Sequence, residues 1–518
     1  MNSKRYTNPT ANQKVLEEKI QEFEAEYPFG KALRKYLDRD KIEIVRVERG
    51  QQRRWHVFAF LPETMRSMFD IERELLILST DYPRLEPRIL SELQANLRDH
   101  ARVDDEVAVL VSPDAKADRL ARQRAGETAI LALDAQALSN PDQPSFREAL
   151  AHTLATVDHF NVTTPIREAS AFFGRQRDIT EVRQSLEQGQ HLGIFGLRKA
   201  GKSSLLNRVQ ALLTERGWAV VALDLNEFFG TPRRFKTAIV KGFASEAERL
   251  GVTLPRLKIT EDRRGADINE SWLDDLEKIV FALSESAGLA LIIDEIDSAL
   301  PARTLSVTAP VEDTLGLLRA LSQFRAFAQR LQMHGKNYPV LLGAGVDPAL
   351  FEQPKIRDLA NPLYQFSRLK FLAPLDREEL AAMVRTLGKR TGMRFRAHEL
   401  IDSLYNEYGG HPLLSRQACS FVHKHRPKDQ VPYHVTSEDL ERAFTARGPD
   451  TPLWHALDVP ESFAEWFPQE ANLLNEYIAN TQNANLRSRL QHAIAYGLLN
   501  EDGTVRMQAL RRGPRVTS

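Results

Sequence analysis

The stretch GIFGLRKAGKSSLL, residues 193–206, decides the fold of this 518-residue chain. In it, Gly196 is followed after four residues by Gly201-Lys202-Ser203, and the motif lies between an apolar run and a helix-forming run. Glycines let a loop close around an anion with its N–H groups pointing inward, where a Cβ atom would collide. The next helix presents the positive end of its dipole to the same anion. The stretch therefore predicts a strand, a phosphate-binding loop and a helix.

The loop residues have separate predicted roles in binding ATP. We expect Lys202 to reach the β- and γ-phosphates and the Ser203 hydroxyl to ligate Mg²⁺. In the absence of nucleotide, Lys202 should be an exposed side chain that packs against nothing. The predicted contact set is completed by the neighbouring residues Gly196, Lys199, Ala200, Gly201 and Ser204. The plainer alternative is a glycine-rich turn between a strand and a helix.

A second motif, LALIIDEID at residues 289–297, combines an apolar strand with carboxylates at its end. In a P-loop fold, the strand beside the phosphate loop carries an Asp that organises Mg²⁺, and Asp294 fits this position. Glu295 is then placed to polarise an attacking water as a general base, with Lys202 as its catalytic partner on the phosphates. The alternative is that both carboxylates cap the next helix or face solvent.

Composition limits the classes of protein that the chain can be. Its 70 Lys and Arg balance 70 Asp and Glu, so the overall charge gives no support for a protein that coats nucleic acid. A single cysteine, Cys419, excludes an internal disulfide framework. There is no apolar stretch near the ~20 residues of a membrane span, and the start lacks a signal-peptide core. We therefore expect a cytoplasmic protein.

Strand and helix patterns alternate along two parts of the chain, which predicts an α/β fold with parallel sheets. In the first part, a hairpin is predicted before three strand–helix units: strands 42–48, 54–60, 74–79, 107–111 and 128–133, with helices near 87–99, 116–124 and 145–157. Polar residues 158–170 predict a domain joint. In the second part, five strands are predicted: 192–195, 218–224, 289–293, 339–343 and 366–371.

Residues from about 170 to 430 resemble the STAND and AAA+-like branch of the P-loop NTPases, in particular the prokaryotic STAND ATPases. Beyond the phosphate loop and the acidic pair, two stretches carry the resemblance: AFFGRQRDITEVRQSL (171–186) and YGGHPLLSRQACSFV (408–422). The resemblance implies that the backbone around Phe172, Phe173 and Gly174 lies over the adenine and that Arg175 fixes this segment. It also implies that a lid closes over the nucleotide through His411 and Pro412. The plainer alternatives are core phenylalanines and an ordinary helix start.

The resemblance also sets the expected domain order. The fold class is a P-loop NTPase with a five-stranded parallel sheet, a helical lid and a C-terminal winged helix, preceded by a separate α/β N-terminal domain. The predicted domains are 1–165 (N-terminal, of unknown role), 166–375 (P-loop NTPase), 376–430 (lid) and 431–518 (winged-helix-like).

One feature departs from the family pattern. The strand at 339–343 ends in Gly343-Ala344-Gly345, where relatives often have a polar or basic residue that senses the γ-phosphate. Sensing in trans or by another residue is therefore open. The candidates within the chain are Arg357, Arg368 and Arg416.

The two flanks are less informative. The tail 461–512 looks like a winged helix with a helix over 485–496 and a strand at 504–510. Arg487, Arg489 and His492 on this helix could face nucleic-acid phosphates. A packing module that holds the nucleotide domain inactive is the preferred alternative. In the N-terminal domain, Asp81, Asp114 and Asp134 follow three predicted strands and could bind a metal or a nucleotide. They could equally be helix caps.

The resemblance implies an ATP-dependent signalling switch that uses Mg²⁺, forms a homo-oligomer on activation and acts in regulation or antiphage defence. A rival hypothesis is a DNA-acting AAA+ ATPase of the replication-initiator or transposition type, which would bind duplex DNA through the C-terminal domain. A third is a nucleotide-gated scaffold with negligible turnover. No membrane partner is expected.

Overall fold

A computed structural model describes most of the chain, in ten ranges. These are residues 13–51, 53–123, 128–166, 172–228, 231–258, 268–283, 287–300, 311–356, 359–479 and 484–511. The contacts divide the chain into two compact units. The first comprises 1–162, 381–404 and 415–447; the second comprises 163–380, 405–414 and 448–518. This grouping follows contacts and does not test the four predicted domains, whose boundaries stay a prediction.

The N-terminal part contains six helices and five strands within its described residues. They are α1 (Gln13–Glu26), α2 (Gly30–Arg39), β1 (Glu43–Arg49), β2 (Arg54–Phe60), α3 (Glu63–Phe69), β3 (Glu74–Thr80), α4 (Arg88–Asp99), β4 (Val103–Ser112), α5 (Ala117–Gln123), β5 (Ala129–Asp134) and α6 (Phe146–Thr156). The strands form one sheet in sequence order. The pairs β1–β2 and β2–β3 are antiparallel, whereas β3–β4 and β4–β5 are parallel. The predicted hairpin and the crossover units after it are thus confirmed.

The sheet is buried on both faces, as its apolar strands predict. All seven residues of β3 are buried. Alternate residues face opposite sides: Trp55 and Val57 join one apolar cluster, and Phe58 joins the other.

The second part begins with the elements that carry the phosphate loop. They are α7 (Gln176–Glu187), β6 (Leu192–Phe195), α8 (Lys202–Glu215), β7 (Ala219–Asp224), α9 (Pro232–Arg249), α10 (Ile268–Leu283), β8 (Leu289–Asp294), a 3-10 helix (Ile296–Ala299), α11 (Val311–Met333), β9 (Val340–Gly345), α12 (Ala349–Glu352), β10 (Lys355–Ile356), β11 (Leu359–Ala360) and β12 (Arg368–Phe371). A further 3-10 turn, Leu225–Phe228, follows β7.

Five of these strands form a parallel sheet in the order β12-β6-β9-β8-β7. The predicted five-stranded parallel sheet is confirmed, and each predicted strand agrees with an observed one to within two residues at either end. Because all five strands run in one direction, their carboxyl ends lie at the same edge of the sheet. That edge receives the loop after β6 and the carboxylates after β8.

The rest of the chain is mainly helical. It contains α13 (Arg377–Arg390), β13 (Met393–Arg394), α14 (His398–Tyr408), α15 (Pro412–His425), β14 (Tyr433–His434), α16 (Ser437–Thr445), α17 (Pro452–Trp466), α18 (Pro468–Ala479), α19 (Ala484–Arg487), α20 (Gln491–Ala495) and a 3-10 helix (Gln508–Arg511). Within the ranges described above, no helix combines the length and the apolar character needed to cross a membrane.

The C-terminal segment differs from its prediction in two places. The strand predicted at 504–510 does not form: one antiparallel bridge joins Leu499 and Val505, and a 3-10 helix follows. The helix predicted over 485–496 is split into α19 and α20. The turn at Gly503 is fixed by the buried Tyr477, whose hydroxyl donates to the Gly503 carbonyl at 2.9 Å. The hairpin of a winged helix is therefore reduced to a single bridge, and the winged-helix assignment stays a prediction.

Candidate functional site

The phosphate loop connects the end of β6 to the start of α8. Its backbone needs residues that tolerate the left-handed region: Gly201 has φ +99° and Lys199 has φ +61°. At the start of the loop, the Gly196 N–H donates to the Gly345 carbonyl of β9 at 3.2 Å. A Cβ added to Gly196 would lie 3.3 Å from Leu372 Cβ, so the loop is pressed against the residue that follows β12. This geometry fits the anion cradle that the motif predicts.

Lys202 is buried in the loop. Its side chain is 5% exposed, and its ammonium donates to the carbonyls of Gly196 at 2.9 Å and Leu197 at 3.1 Å. Burial lowers the pKa of Lys202, while the carboxylates of Glu295 and Asp294 act against this shift. The prediction of an exposed lysine without contacts was wrong, because the loop curls back so that its own carbonyls surround the ammonium.

The acidic residues occupy the carboxyl ends of two neighbouring strands. Asp294 ends β8 and lies opposite Asp224, the last residue of β7, in the parallel ladder. Asp294 accepts a hydrogen bond from the Glu295 N–H at 3.0 Å. Glu295 has φ +49°, which turns the chain out of the strand at this point. Burial raises the pKa of Glu295, the negative charge of Asp297 adds to the effect, and Lys202 opposes it.

Asp297, two residues after Glu295, has a structural role. It is fully buried, and its Oδ2 accepts the N–H groups of Val346 at 2.8 Å and Asp347 at 2.9 Å. A Cβ at Gly345 would lie 2.7 Å from its Oδ1. The glycine that replaces the expected sensor residue is thus explained by packing, because the Asp297 carboxylate occupies the space of a side chain there. Asp297 is therefore a poor substitute for Glu295 as a base.

The two serines of the motif lie in different surroundings. Ser203 is the second residue of α8 and is partly exposed. Ser204 Oγ accepts the N–H of Ile166 at 2.9 Å, so this hydroxyl anchors the preceding segment to α8.

The donor set fits Mg²⁺ better than a metal held by protein alone. The described residues include no group of three or more His, Cys, Asp or Glu side chains that could hold a metal ion. Mg²⁺ at phosphate sites keeps several waters and takes one or two protein oxygens together with phosphate oxygens. A hydroxyl from Ser203 and a carboxylate from Asp294 are ligands of that type.

Arg175 supports the phosphate loop from behind. It is 4% exposed, and its guanidinium donates to the carbonyls of Ala200 at 2.8 Å and Ala373 at 2.9 Å. The Arg175 N–H donates to Glu379 at 2.5 Å. Gly174 is required beside it, since its φ is +68° and a Cβ would lie 2.7 Å from Glu379 Cδ. Arg175 therefore ties the predicted adenine segment to the loop through Ala200.

The two phenylalanines of this segment are half-buried. Phe172 packs against the apolar cluster beneath the sheet, which is formed by β6, α7, α8 and their neighbours. A core role for Phe172 is thus observed, and adenine contact by Phe172 and Phe173 stays a prediction.

His411 lies beside the phosphate loop. It is 4% exposed; burial and the charge of Arg175 lower its pKa to about 4, with Arg198 and Lys199 also near enough to affect it. It is therefore neutral at pH 7. Pro412 begins α15. Two residues earlier, Gly410 has φ +82°, and its carbonyl accepts the Leu375 N–H at 3.0 Å. The predicted lid start is thus held on the segment after β12.

Of the three arginines suggested as γ-phosphate sensors, two lie in the described residues, and both donate to groups outside the phosphate loop. Arg357 lies outside the described residues. Arg368 begins β12 at the amino end of the sheet and donates to Gln190, so it is at the edge opposite the phosphate loop. Arg416 is 3% exposed and donates to the carbonyls of His159 at 3.0 Å and Phe160 at 3.4 Å. Burial, with nearby Arg390, lowers its pKa to about 10.

The basic residues of the C-terminal segment are partly committed to internal contacts. His492 Nδ1 contacts Glu470 at 2.8 Å, and its Nε2 lies 3.6 Å from Glu352. Its ring stacks on Phe467. Burial alone would lower the pKa of His492, but the two carboxylates raise it to about 9. Arg487 and Arg489 are exposed. The pairing of its charge within the protein argues against contact between His492 and phosphates, and phosphate contact by this segment stays a prediction.

The three N-terminal aspartates also have local partners. Asp81 forms an ion pair with Arg53 at 2.7 Å. Asp114 accepts the N–H of Leu85 at 2.7 Å, and Asp134 accepts the N–H of Gln136 at 2.9 Å. The Asp134 contact is of the turn-forming kind, and a metal or nucleotide role for the three aspartates stays a prediction.

Two residues of the site escaped prediction. Asp224 could have been recognised, because it ends a strand of the parallel sheet and such ends gather at the ligand edge. Glu379 gave no such signal. It lies 204 residues after Arg175, and only the fold brings the two together.

A five-stranded parallel sheet with a lysine-bearing phosphate loop after one strand and a carboxylate pair after another defines the class of P-loop ATPases. A sequence profile of the Novel STAND NTPase 1 family matches residues 164–434, more than half of the chain. The protein belongs to this family.

The solved structures that resemble this chain include three proteins, each of which covers 68% of it. They are the Walker-type ATPase PABY2304 of Pyrococcus abyssi (16% identity, 99% of that chain, TM-score 0.45), Cdc6p of Pyrobaculum aerophilum (14%, 95%, 0.36) and the ORC2 protein of Aeropyrum pernix in ADPNP-ADP complexes (15%, 94%, 0.39). A comparison with curated protein sequences found no significant match.

Proposed function

We propose that the protein is an ATP-binding, ATP-hydrolysing switch of the STAND type. The observation that carries this proposal is the arrangement at the carboxyl edge of the parallel sheet. There, the buried ammonium of Lys202 lies close enough to Asp294 and Glu295 for their charges to affect its pKa. This proximity supports a site in which Lys202 binds phosphate and the acid pair serves the metal and the attacking water.

The chain's own residues would act as follows. Lys202 exchanges its two carbonyl contacts for phosphate oxygens, which are charged acceptors and therefore form stronger hydrogen bonds. Glu295 takes the proton of the attacking water. Arg175 keeps the loop in shape through the Ala200 carbonyl. Mg²⁺, held by Ser203 and Asp294, would neutralise charge that develops on the phosphates.

The pKa shift of Glu295 is consistent with work as a base near neutral pH. A base is most effective when its pKa approaches the working pH, and burial together with Asp297 moves the pKa of Glu295 upward in that direction. The backbone of Glu295 is also consistent with a functional role. Its φ is positive, which is uncommon for a non-glycine residue, and such residues cluster at functional sites.

The first test is Lys202→Ala. Loss of a charged hydrogen-bond donor to the phosphates should cost about 3 kcal/mol, or roughly 100-fold in ATP affinity by calorimetry. Because Lys202 is buried against Gly196 and Leu197, a shift in melting temperature is also expected. Lys241→Ala, at an exposed position of α9, is the control and should leave both unchanged. Unaltered ATP affinity in Lys202→Ala would refute the assignment.

Signalling, regulation or antiphage defence is the role that the family resemblance implies for such a switch. The rival DNA-acting role has less support, because His492, one of the three residues suggested to face phosphates, is paired with Glu470 and Glu352.

A further inference from the structure

Three elements of the second unit meet at the end of β9, at Gly345-Val346-Asp347. The phosphate loop contributes the Gly196 N–H, which donates to the Gly345 carbonyl at 3.2 Å. The acidic loop contributes Asp297, whose carboxylate accepts the N–H groups of Val346 and Asp347. We refer to Gly345-Val346-Asp347 as the β9 junction.

The third element is the C-terminal helical segment. The hydroxyl of Tyr496, just after α20, donates to the Val346 carbonyl. The same peptide segment is therefore gripped on its N–H side by Asp297 and on its carbonyl side by Tyr496. Tyr496 is 3% exposed, and its ring packs with Phe371, Phe463 and Phe467, so the hydroxyl is held in a fixed direction.

A second contact fixes the same helix. His492, one turn before Tyr496, lies 3.6 Å from Glu352 of α12. The helix α12 follows directly from the junction, since Asp347 accepts the Ala349 N–H at 2.9 Å. The C-terminal segment therefore contacts both the β9 junction and the helix that follows it.

The junction has little freedom to adapt. A Cβ at Gly345 would lie 2.7 Å from Asp297, and one at Gly343 would lie 2.7 Å from Ile296. Packing this close transmits small displacements, because interiors have few voids to absorb them. A shift of the Val346 peptide must therefore displace the Asp297 carboxylate, which lies two residues from Glu295.

We propose that Tyr496 is a positioning residue for hydrolysis, acting on Glu295 through the Val346 peptide and Asp297. This inference rests on the proposed ATPase function. It makes the C-terminal segment part of the hydrolytic apparatus, although Tyr496 itself touches neither the phosphate loop motif nor the acid pair in the contacts that the structure describes.

The test compares two buried tyrosines of the C-terminal segment, each of which donates its hydroxyl to a backbone carbonyl. Tyr496→Phe removes the contact to Val346, and Tyr477→Phe removes the contact to Gly503. Both should lower the melting temperature to a similar extent. Only Tyr496→Phe should lower kcat, by roughly threefold or more, because small misplacement of catalytic groups reduces rate. Its KM and its ATP affinity by calorimetry should stay at the parent values.

A double variant tests whether Tyr496 acts through the Val346 peptide and Asp297. Asp297→Asn weakens the second contact that holds the Val346 peptide. If both residues act through that peptide, the double variant should lose less kcat than the product of the two single losses. Fully multiplicative effects would overturn the shared route. An unchanged kcat in Tyr496→Phe, or equal losses in Tyr496→Phe and Tyr477→Phe, would overturn the positioning role.

Measurements on the parent protein distinguish failure of this inference from failure of the proposed function. A parent that fails to bind ATP or to release phosphate refutes the ATPase proposal, and the inference with it, before any variant is made. A parent that turns over while Tyr496→Phe matches it refutes the inference alone.

Discussion

The environment of Glu295 leads to a specific prediction about the pH dependence of catalysis. Burial and the neighbouring carboxylates of Asp297 and Asp294 raise its pKa, so it becomes protonated at a higher pH than an ordinary glutamate. A base must be deprotonated to act. We therefore expect kcat/KM for ATP to fall on the acid side at a pH clearly above ~4.3, the usual value for glutamate.

The measurement is a pH–rate profile of parent and Glu295→Gln. The variant should lose most of its turnover while keeping ATP affinity, since glutamine preserves size and hydrogen bonding. Asp294→Asn, in contrast, should lose binding of Mg·ATP and turnover together. A parent profile with its acid limb unchanged in Glu295→Gln would remove Glu295 from the mechanism.

Single substitutions of Phe172 and Phe173, the two residues before Gly174, should have different effects. Phe172 packs on the apolar cluster beneath the sheet, so Phe172→Gln should lower the unfolding free energy by about 1–3 kcal/mol. Phe173→Gln should weaken ATP and ADP equally if its ring lies against the base, because both nucleotides share the base. Calorimetry with both ligands and thermal unfolding decide between the two roles. Unchanged affinity in Phe173→Gln would leave it a packing residue.

At the scale of elements, the docking of α20 should depend on pH through His492. Its pKa is raised from 6.5 to about 9 by Glu352 and Glu470 against the effect of burial. The stabilisation that this histidine contributes is therefore complete below pH 6.5 and is lost as the pH rises through about 9.

Denaturant unfolding at pH 6, 7.5 and 9.5 measures this dependence. His492→Gln should be destabilised most at the lowest pH and should approach the parent at the highest. His334→Gln, an exposed histidine at the end of α11, is the matched control. A parent and His492→Gln pair that differ equally at all three pH values would contradict the assignment.

At the scale of the whole molecule, nucleotide should control assembly if the protein is a STAND switch. A ligand shifts an equilibrium between two states of a protein only if it binds them with different affinity. The molar mass should therefore be measured for the state that accumulates with ATP. We expect the molar mass by light scattering to rise on adding ATP, and to rise further in Glu295→Gln, which cannot reset by hydrolysis.

Duplex DNA in the same experiment tests the rival function. The switch hypothesis predicts no added effect of DNA. ATP-dependent DNA binding that weakens steeply with salt would favour the AAA+ alternative, because phosphate contacts release counterions. A mass that stays constant with ATP in both proteins would exclude assembly as the output.

The sequence by itself determined the elements that depend on short-range pattern. The phosphate loop needs glycines at fixed spacing between a strand and a helix, and 192–195 and 202–215 form just those elements. The Asp294-Glu295 pair was also readable, because an apolar strand ending in carboxylates is a local signal. Parallel order followed from alternation of strands and helices, since parallel strands require crossover connections.

Only the tertiary structure decided which distant residues share a contact. Arg175 meets Ala200 and Glu379, and Asp297 meets Val346, through chain folding that no spacing in the sequence encodes. The same reason explains the error over Lys202. Its exposure depends on what surrounds the side chain, and the sequence does not show whether a charged residue is buried against carbonyls or free in water.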